Sequence, residues 1–288
     1  MAPATLNLIG PGRLGRSLTR LWHDAGLLTL QGVAGRRTAM VDEAMAFIGA
    51  GQALALADLP AADFTLLATP DDALPEIVAQ LLQAGVLAAD SVVLHASGAL
   101  GSEVLAPLRS AGVWVASVHP LKSFAQPAQA IQDFAGTWCG CEGDAIALAR
   151  LAPLFDAIGA HRFDIATQHK TLYHAGAVLA CNDLVALMEA ALRCMAAAGV
   201  PREQAWPALR PLVQGTLSNL DRLGTQAALT GPIARGDSQT VARQLAATQA
   251  LDPAVAQAYR SLGQLALQLA SLDASQHQAL AALLEAQP

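Results

Sequence analysis

The feature that most constrains this chain is Gly10-Pro11-Gly12-Arg13-Leu14-Gly15, a G-x-G-x-x-G turn. It lies directly behind a strand-like run, Thr5–Ile9, and opens an amphipathic stretch, Arg13–Ala25. Strand, glycine turn and helix in that order begin a βαβ unit whose helix N-terminus aims unpaired N–H groups at an anion. Gly10 permits the tight turn, Gly12 lets the backbone approach a pyrophosphate, and Gly15 allows close helix–strand packing. Pro11, Arg13 and Leu14 complete the turn around the dinucleotide. A glycine turn without ligand is the plain alternative; the N-terminal position and the further βαβ units favour the nucleotide.

Those units continue along the chain. Leu30–Ala34, Ala53–Ala55, Phe64–Ala68, Ser91–Ala96, Trp114–Val118, Gly136–Cys141 and His161–Ile165 read as strands. Thr38–Ile48, Ala73–Ala84, Ser102–Ala111 and Asp144–Ile158 read as the helices between them. The alternation predicts a Rossmann-type, doubly wound α/β sheet. Helical periodicity then runs without a break from Thr167 to Ala198, followed by Gln204–Leu220, Asp237–Gln249, Ala254–Ser271 and Ala274–Ala286. Two domains are therefore expected: a dinucleotide-binding domain over 1–166 and an all-α substrate and dimerisation domain over 167–288. At about 1.5 Å per residue the Thr167–Ala198 helix is about 50 Å long. It is apolar around most of its circumference, which predicts burial on several sides, completed by a second copy in a homodimer.

Composition narrows the function. The chain is 53% hydrophobic but 4% aromatic, so Ala, Leu and Val build a core suited to helices and a buried parallel sheet. A net charge of −6 with no basic run argues against nucleic acid. Met1–Ile9 carries no basic n-region, and no apolar run reaches the roughly 18 residues of a membrane span, so neither leader nor membrane is expected. Cys139, Cys141, Cys181 and Cys194 lack a second Cys/His pair at zinc spacing. They read as reduced thiols of a cytoplasmic protein without a metal site.

NAD enzymes place an acid for the ribose 2′-hydroxyl about 20 residues beyond the glycine turn. Here that strand end reads Val33-Ala34-Gly35-Arg36-Arg37, with no acid and two guanidinium groups. Arginine binds a 2′-phosphate through charge-assisted bonds, so Arg36 and Arg37 point to NADP; two solvated loop arginines are the alternative. Thr69 and Pro70, at the end of the Phe64–Ala68 strand, are expected against the diphosphate and ribose, with Asp71 and Asp72 as helix N-caps.

The remaining polar clusters also end strands. Ser97, in His95-Ala96-Ser97-Gly98, and His119, in Ser117-Val118-His119-Pro120, are expected to face the nicotinamide and hydrogen-bond a substrate oxygen; capping of turns is the alternative. Lys170, Tyr173 and His174 share one face of the long helix. Lys170 is the expected proton donor or substrate binder, against a snorkelling surface lysine, and His174 helps to shape the pocket. Asn182, about 18 Å further along the axis, is expected in a helix–helix bond or another part of the ligand. Arg235 is a candidate anion clamp, and Asp237 an N-cap.

On the stretches GPGRLG, SVHPLKSF, KTLYHAGAVLACN and LTGPIARGD, the chain resembles a bacterial family that joins an N-terminal Rossmann-like NADP-binding domain to a C-terminal domain of unknown function. The resemblance implies an NADP- or deazaflavin-dependent oxidoreductase with a C-terminal region like that of 6-phosphogluconate dehydrogenase. More distantly it is similar to the β-hydroxyacid dehydrogenases, which open the long helix with a Lys and, one turn later, an Asn. Lys170 matches and His174 takes the Asn place, while Ala166-Thr167-Gln168-His169 stands where a Gly-rich lead-in belongs. Ser97 and His119-Pro120 resemble the strand ends of prephenate dehydrogenases. The combined expectation is an NADP(H)-dependent reductase or dehydrogenase acting on a small carbonyl or hydroxy compound, an acid foremost. Its rivals are a non-catalytic NADP-binding sensor or scaffold and a reductase that uses deazaflavin.

Overall fold

The computed structural model describes residues 3–285. The chain folds into two compact units, one ending at Cys181 and the other beginning at Asn182.

The first unit is built on one eight-stranded sheet, ordered β3-β2-β1-β4-β5-β6-β7-β8. β1 (Ala4–Ile9), β2 (Leu28–Ala34), β3 (Gln52–Ala53), β4 (Phe64–Leu67), β5 (Val92–His95) and β6 (Trp114–Pro120) run parallel. β7 (Trp138–Gly143) is antiparallel to β6, and β8 (His161–Asp164) is parallel to β7. The strand order reverses between β1 and β4, where an open α/β sheet leaves a crevice beyond the strand ends.

The strands are apolar on both faces because both are covered. Leu8, Leu66, Leu94 and Ala116 face a core shared with α1 (Arg13–Asp24), α2 (Thr38–Ile48), α4 (Pro127–Gln132) and α5 (Ala145–Ala157). Their chain neighbours Ile9, Leu67, Val93 and Val115 face the opposite core, with α3 (Leu74–Ala84) and the segment Ser102–Ala111. Trp22 anchors the larger core: at 1% exposure it meets Phe155 edge to face at 5.3 Å and donates its indole N–H to the Leu154 carbonyl at 3.1 Å.

Several local expectations change. Ser102–Ala111 is a 3₁₀ segment rather than an α-helix. Pro107 within it supplies no N–H and would clash with the preceding turn of a continuous α-helix. β6 extends past Val118 to Pro120 because Pro120 pairs with Cys139 across the antiparallel ladder, which also carries β7 on to Gly143. The short helix α4 has too few residues for a periodic signal.

α6 (Lys170–Ala197) follows a 3₁₀ turn at Thr167–His169. α7 (Arg202–Ala228) runs beyond the expected Leu220, with non-helical backbone at Gly224, where φ is +71°. α8 (Ser238–Leu251), α9 (Pro253–Leu269) and α10 (Ala274–Glu285) enclose a small core of Val241, Leu245, Leu267, Leu280 and Leu284. The expected terminus at Ala286 lies outside the described residues. Asp237 caps α8, as expected, by accepting from the Thr240 N–H at 3.0 Å.

One composition-based expectation is corrected. Among the described residues, Thr167–Ala197 is by length and composition long and apolar enough to cross a membrane, with a window of mean hydropathy 1.5. The polar residues Asn182, Asp183, Glu189 and Arg193 interrupt it too sparsely to lower that average. None of that window is buried in the single chain among the described residues, although stretches such as 188–192 are partly covered. Asn182 is likewise exposed, and among the described residues no hydrogen bond joins it to another helix.

Trp22→Ala is expected to lower the unfolding free energy by about 3–5 kcal/mol, the usual range for a buried aromatic truncated to Ala. Urea denaturation followed by far-UV circular dichroism measures it; a loss below about 1 kcal/mol would mean the core collapses around the missing ring.

Candidate active site

At the β1/β4 crevice lies a cleft of about 830 Å³. Gly10, Pro11, Gly12, Arg13 and Leu14 line it from the β1–α1 turn, Arg36 and Arg37 from the end of β2, and Thr69 and Pro70 from beyond β4. The structure thus gathers nine of the ten expected cofactor residues around one space. Gly15, the tenth, packs behind it.

The three glycines divide the work as their spacing implies. Gly10 has φ +85°, and a Cβ there would meet Thr69 Cγ2 at 2.5 Å and the Ala68 carbonyl carbon at 2.8 Å. A Cβ on Gly15 would lie 2.8 Å from Ala68 Cβ and 3.0 Å from Leu8 Cδ1. At Gly12 the nearest atom is 3.8 Å away, so its open side belongs to the cleft. No side chain caps α1, leaving the first N–H groups free for an anion. Thr69 Oγ1, at the cleft wall, is buried without a partner. An orphaned hydroxyl, an uncapped helix start and two exposed guanidinium groups fit a phosphorylated dinucleotide.

Asp71 links this cleft to the next strand ends. It does not cap a helix, contrary to expectation; instead its Oδ2 accepts the Ser97 hydroxyl at 2.8 Å. Asp72 caps nothing either. Ser97 Oγ also accepts from the Ala99 and Leu100 N–H groups at 3.1 and 3.0 Å. Its one proton is therefore engaged by Asp71, and its lone pairs hold the turn.

Beside that turn stand His119, Tyr173 and His174. His119 Nδ1 is 2.8 Å from the Tyr173 hydroxyl, and its ring meets that of His174 edge-on at 5.4 Å. Absent side chains make the cluster possible. A Cβ on Gly98 would meet His174 Nδ1 at 2.2 Å and His119 Cε1 at 2.9 Å, and one on Gly140 would meet the Tyr173 hydroxyl at 2.9 Å. His174 Nδ1 is buried with no partner. Burial pushes the His119 imidazole down to about 4 and the Tyr173 phenol up to about 12, so both are neutral at physiological pH.

Lys170 lies behind this cluster at 1% exposure, not snorkelling at the surface. Its ammonium donates to Ser117 Oγ and, at 3.3 Å, to Glu142 Oε1. Glu142, 4% exposed, also accepts from the Ser102 N–H and hydroxyl, both at 2.7 Å, and from the Thr167 hydroxyl at 2.9 Å. Burial pushes the Lys170 pKa down, while Glu142 opposes that shift. The same burial raises the Cys139 and Cys141 thiols to about 12 and about 11, leaving both protonated. Sequence reasoning missed Glu142 because the predicted strand stopped at Cys141. The available signal was a lone carboxylate in an otherwise uncharged strand.

His95 offers a direct measurement. The Ser97 N–H donates to its Nδ1 at 3.1 Å, and Nε2 faces the Gly101 carbonyl at 3.2 Å, so both nitrogens are satisfied in the neutral ring. Burial, then the Lys170 charge, pushes its pKa from 6.5 to about 4. Between those values the unfolded chain binds more protons, so stability falls as pH drops through that window. We expect a loss of up to about 1.4 kcal/mol per pH unit from this group. His119 adds in the same direction. Urea denaturation from pH 7 to 4.5 should show a shallower slope for His95→Asn; an equal slope would exclude His95 as a source.

The described geometry agrees with what the chain resembles. Residues 2–120 match the Rossmann-like domain model, and residues 137–266 match the domain of unknown function DUF2520. Comparison with curated proteins finds no match. Among solved structures, protein TM1727 from Thermotoga maritima is 26% identical with a TM-score of 0.70, the match covering 92% of this chain and 98% of that one. Protein BF3122 from Bacteroides fragilis, provisionally assigned as an NADP oxidoreductase, is 19% identical with a TM-score of 0.75, covering 93% and 99%. An imine reductase from Myxococcus stipitatus in complex with NADP+ is 17% identical with a TM-score of 0.68, covering 92% and 94%. The two domain models thus follow one another along this chain, a Rossmann-like domain and then DUF2520.

Proposed function

We propose that the protein is an NADP(H)-dependent oxidoreductase that moves hydride to or from a small carbonyl or hydroxy compound such as a keto acid. The observation that carries this reading is the cleft in which the Gly10–Gly15 turn, Thr69 and the paired guanidinium groups of Arg36 and Arg37 converge. Two arginines and no carboxylate at the end of β2 suit a 2′-phosphate and leave a free ribose 2′-hydroxyl without its usual acceptor. The nicotinamide, when bound, supplies or accepts hydride.

The remaining chemistry belongs to the chain's own side chains. Tyr173 keeps its proton at neutral pH and shares it with the neutral His119 ring, so the pair can pass a proton to a substrate oxygen. His174 offers a second imidazole with an uncommitted Nδ1. Ser97, tied to Asp71, braces the loop between the nucleotide cleft and these rings. Lys170 contributes positive charge from behind, where it favours negative charge developing on oxygen.

Calorimetric titration with NADPH, NADH and NADP+ tests the nucleotide assignment. NADPH should bind in the micromolar range, and Arg36→Ala/Arg37→Ala should weaken it about tenfold or more, roughly 1.4 kcal/mol, with little effect on NADH. Absence of binding to any nicotinamide nucleotide would reject the assignment and bring forward deazaflavin or a non-catalytic sensor.

We propose further that the protein acts in the cytoplasm as a homodimer joined through α6. Leu172, Leu179 and Val185 stand 74%, 66% and 69% exposed on more than one side of that helix, which suits apolar surface covered by a second copy. Sedimentation equilibrium should give the mass of two chains, and Val185→Glu should shift it toward one. Recovery only in detergent would argue for a membrane contact instead.

A further inference from the structure

The chain's 17 basic residues include only two lysines, Lys122 and Lys170. Arginine stays charged almost wherever it is placed, whereas the state of a buried lysine depends on what surrounds it. Lys170 is enclosed, and the groups facing it are few. Glu142 and Cys141 approach from β7, His95 from β5, His119 from β6, and Asp71 from the turn beyond β4. Asp71 is engaged by Ser97, and among the described residues only Glu142 brings a carboxylate into contact.

We infer that Glu142 is the positioning residue of this site: it keeps Lys170 an ammonium ion beneath the strand ends and locks to it the segment that follows Ser97. The purpose of that arrangement rests on reading the site as a hydride-transfer centre. Its geometry does not.

Each oxygen of Glu142 has separate duties. Oε1 takes the Ser102 N–H and the Lys170 ammonium, while Oε2 takes the Ser102 and Thr167 hydroxyls. One carboxylate therefore joins β7, the start of the 3₁₀ segment, the turn before α6 and the first residue of α6. A buried ion pair adds little net stability, since desolvation offsets its attraction; what it fixes is where the charge sits. That charge then acts on its neighbours. Lys170 helps to keep His95 and His119 unprotonated, so the carboxylate that secures it also governs two imidazoles.

With only two lysines, selective ¹⁵N-lysine labelling gives two side-chain Nζ signals, and Lys122→Arg assigns them. Wild-type Lys170 should appear as an ammonium at pH 7. Glu142→Gln should lower its titration midpoint by about 1–3 units, the effect of removing an adjacent opposite charge. Glu142→Asp should recover part of that shift. A merely structural carboxylate would reduce stability without moving the Nζ midpoint. An unchanged midpoint in folded Glu142→Gln would overturn the inference. So would a neutral Lys170 amine at pH 7 in wild-type protein, a result that does not depend on any variant folding. NADPH titration of the wild type reports separately on the nucleotide reading, because its failure would leave the Lys170 midpoint where it was.

Discussion

The closeness with which the β1–α1 turn approaches the end of β4 governs the first unit. Gly10 and Gly15 both press against Ala68, at separations that no side chain would allow. That contact fixes the start of α1 beside the reversal of strand order, where neighbouring connections leave to opposite faces of the sheet. The crevice follows from the topology, and the glycines let the backbone come close enough to use it. Trp22, further along α1, then packs against Phe155 of α5, so the helix that presents its N-terminus to the cleft is held at both ends of its buried face.

Electrostatics sets a second constraint further along the sheet. Glu142 and Lys170 are both nearly inaccessible, and charges in such surroundings persist only when their remaining hydrogen-bonding capacity is met. Ser102, Thr167 and Ser117 meet it. Cluster and cleft are connected by the Asp71–Ser97 hydrogen bond, which ties the turn after β4 to the turn after β5. A displacement of either wall would therefore be felt at the other. The neutral His95 and His119 rings and the protonated Tyr173 phenol surround a charge held behind them.

α6 joins two roles in one element. Its first turn delivers Lys170, Tyr173 and His174 to the ends of β5, β6 and β7, while the apolar stretch that follows is exposed. Helix periodicity explains how three residues within five positions can reach the same region and still meet different partners. The lysine inserts beneath the strands, the tyrosine crosses to His119, and His174 lies over Gly98.

Local sequence determined a great deal here. A glycine turn between an apolar run and an amphipathic one specifies strand, tight turn and helix, because backbone sterics and hydrogen-bonding geometry act over a few residues. The same holds for Asp237 as a cap and for Arg36 and Arg37 at a strand end. Tertiary structure alone decided the partners of Asp71, Glu142 and Lys170. Asp71 looked like a cap, Glu142 fell beyond a predicted strand end, and Lys170 had an equally plain surface reading. Each was settled by a residue far away in sequence: Ser97 for Asp71, Ser102 for Glu142, Ser117 for Lys170. Burial of a charge depends on what the rest of the chain folds over it, and no local pattern of residues carries that information.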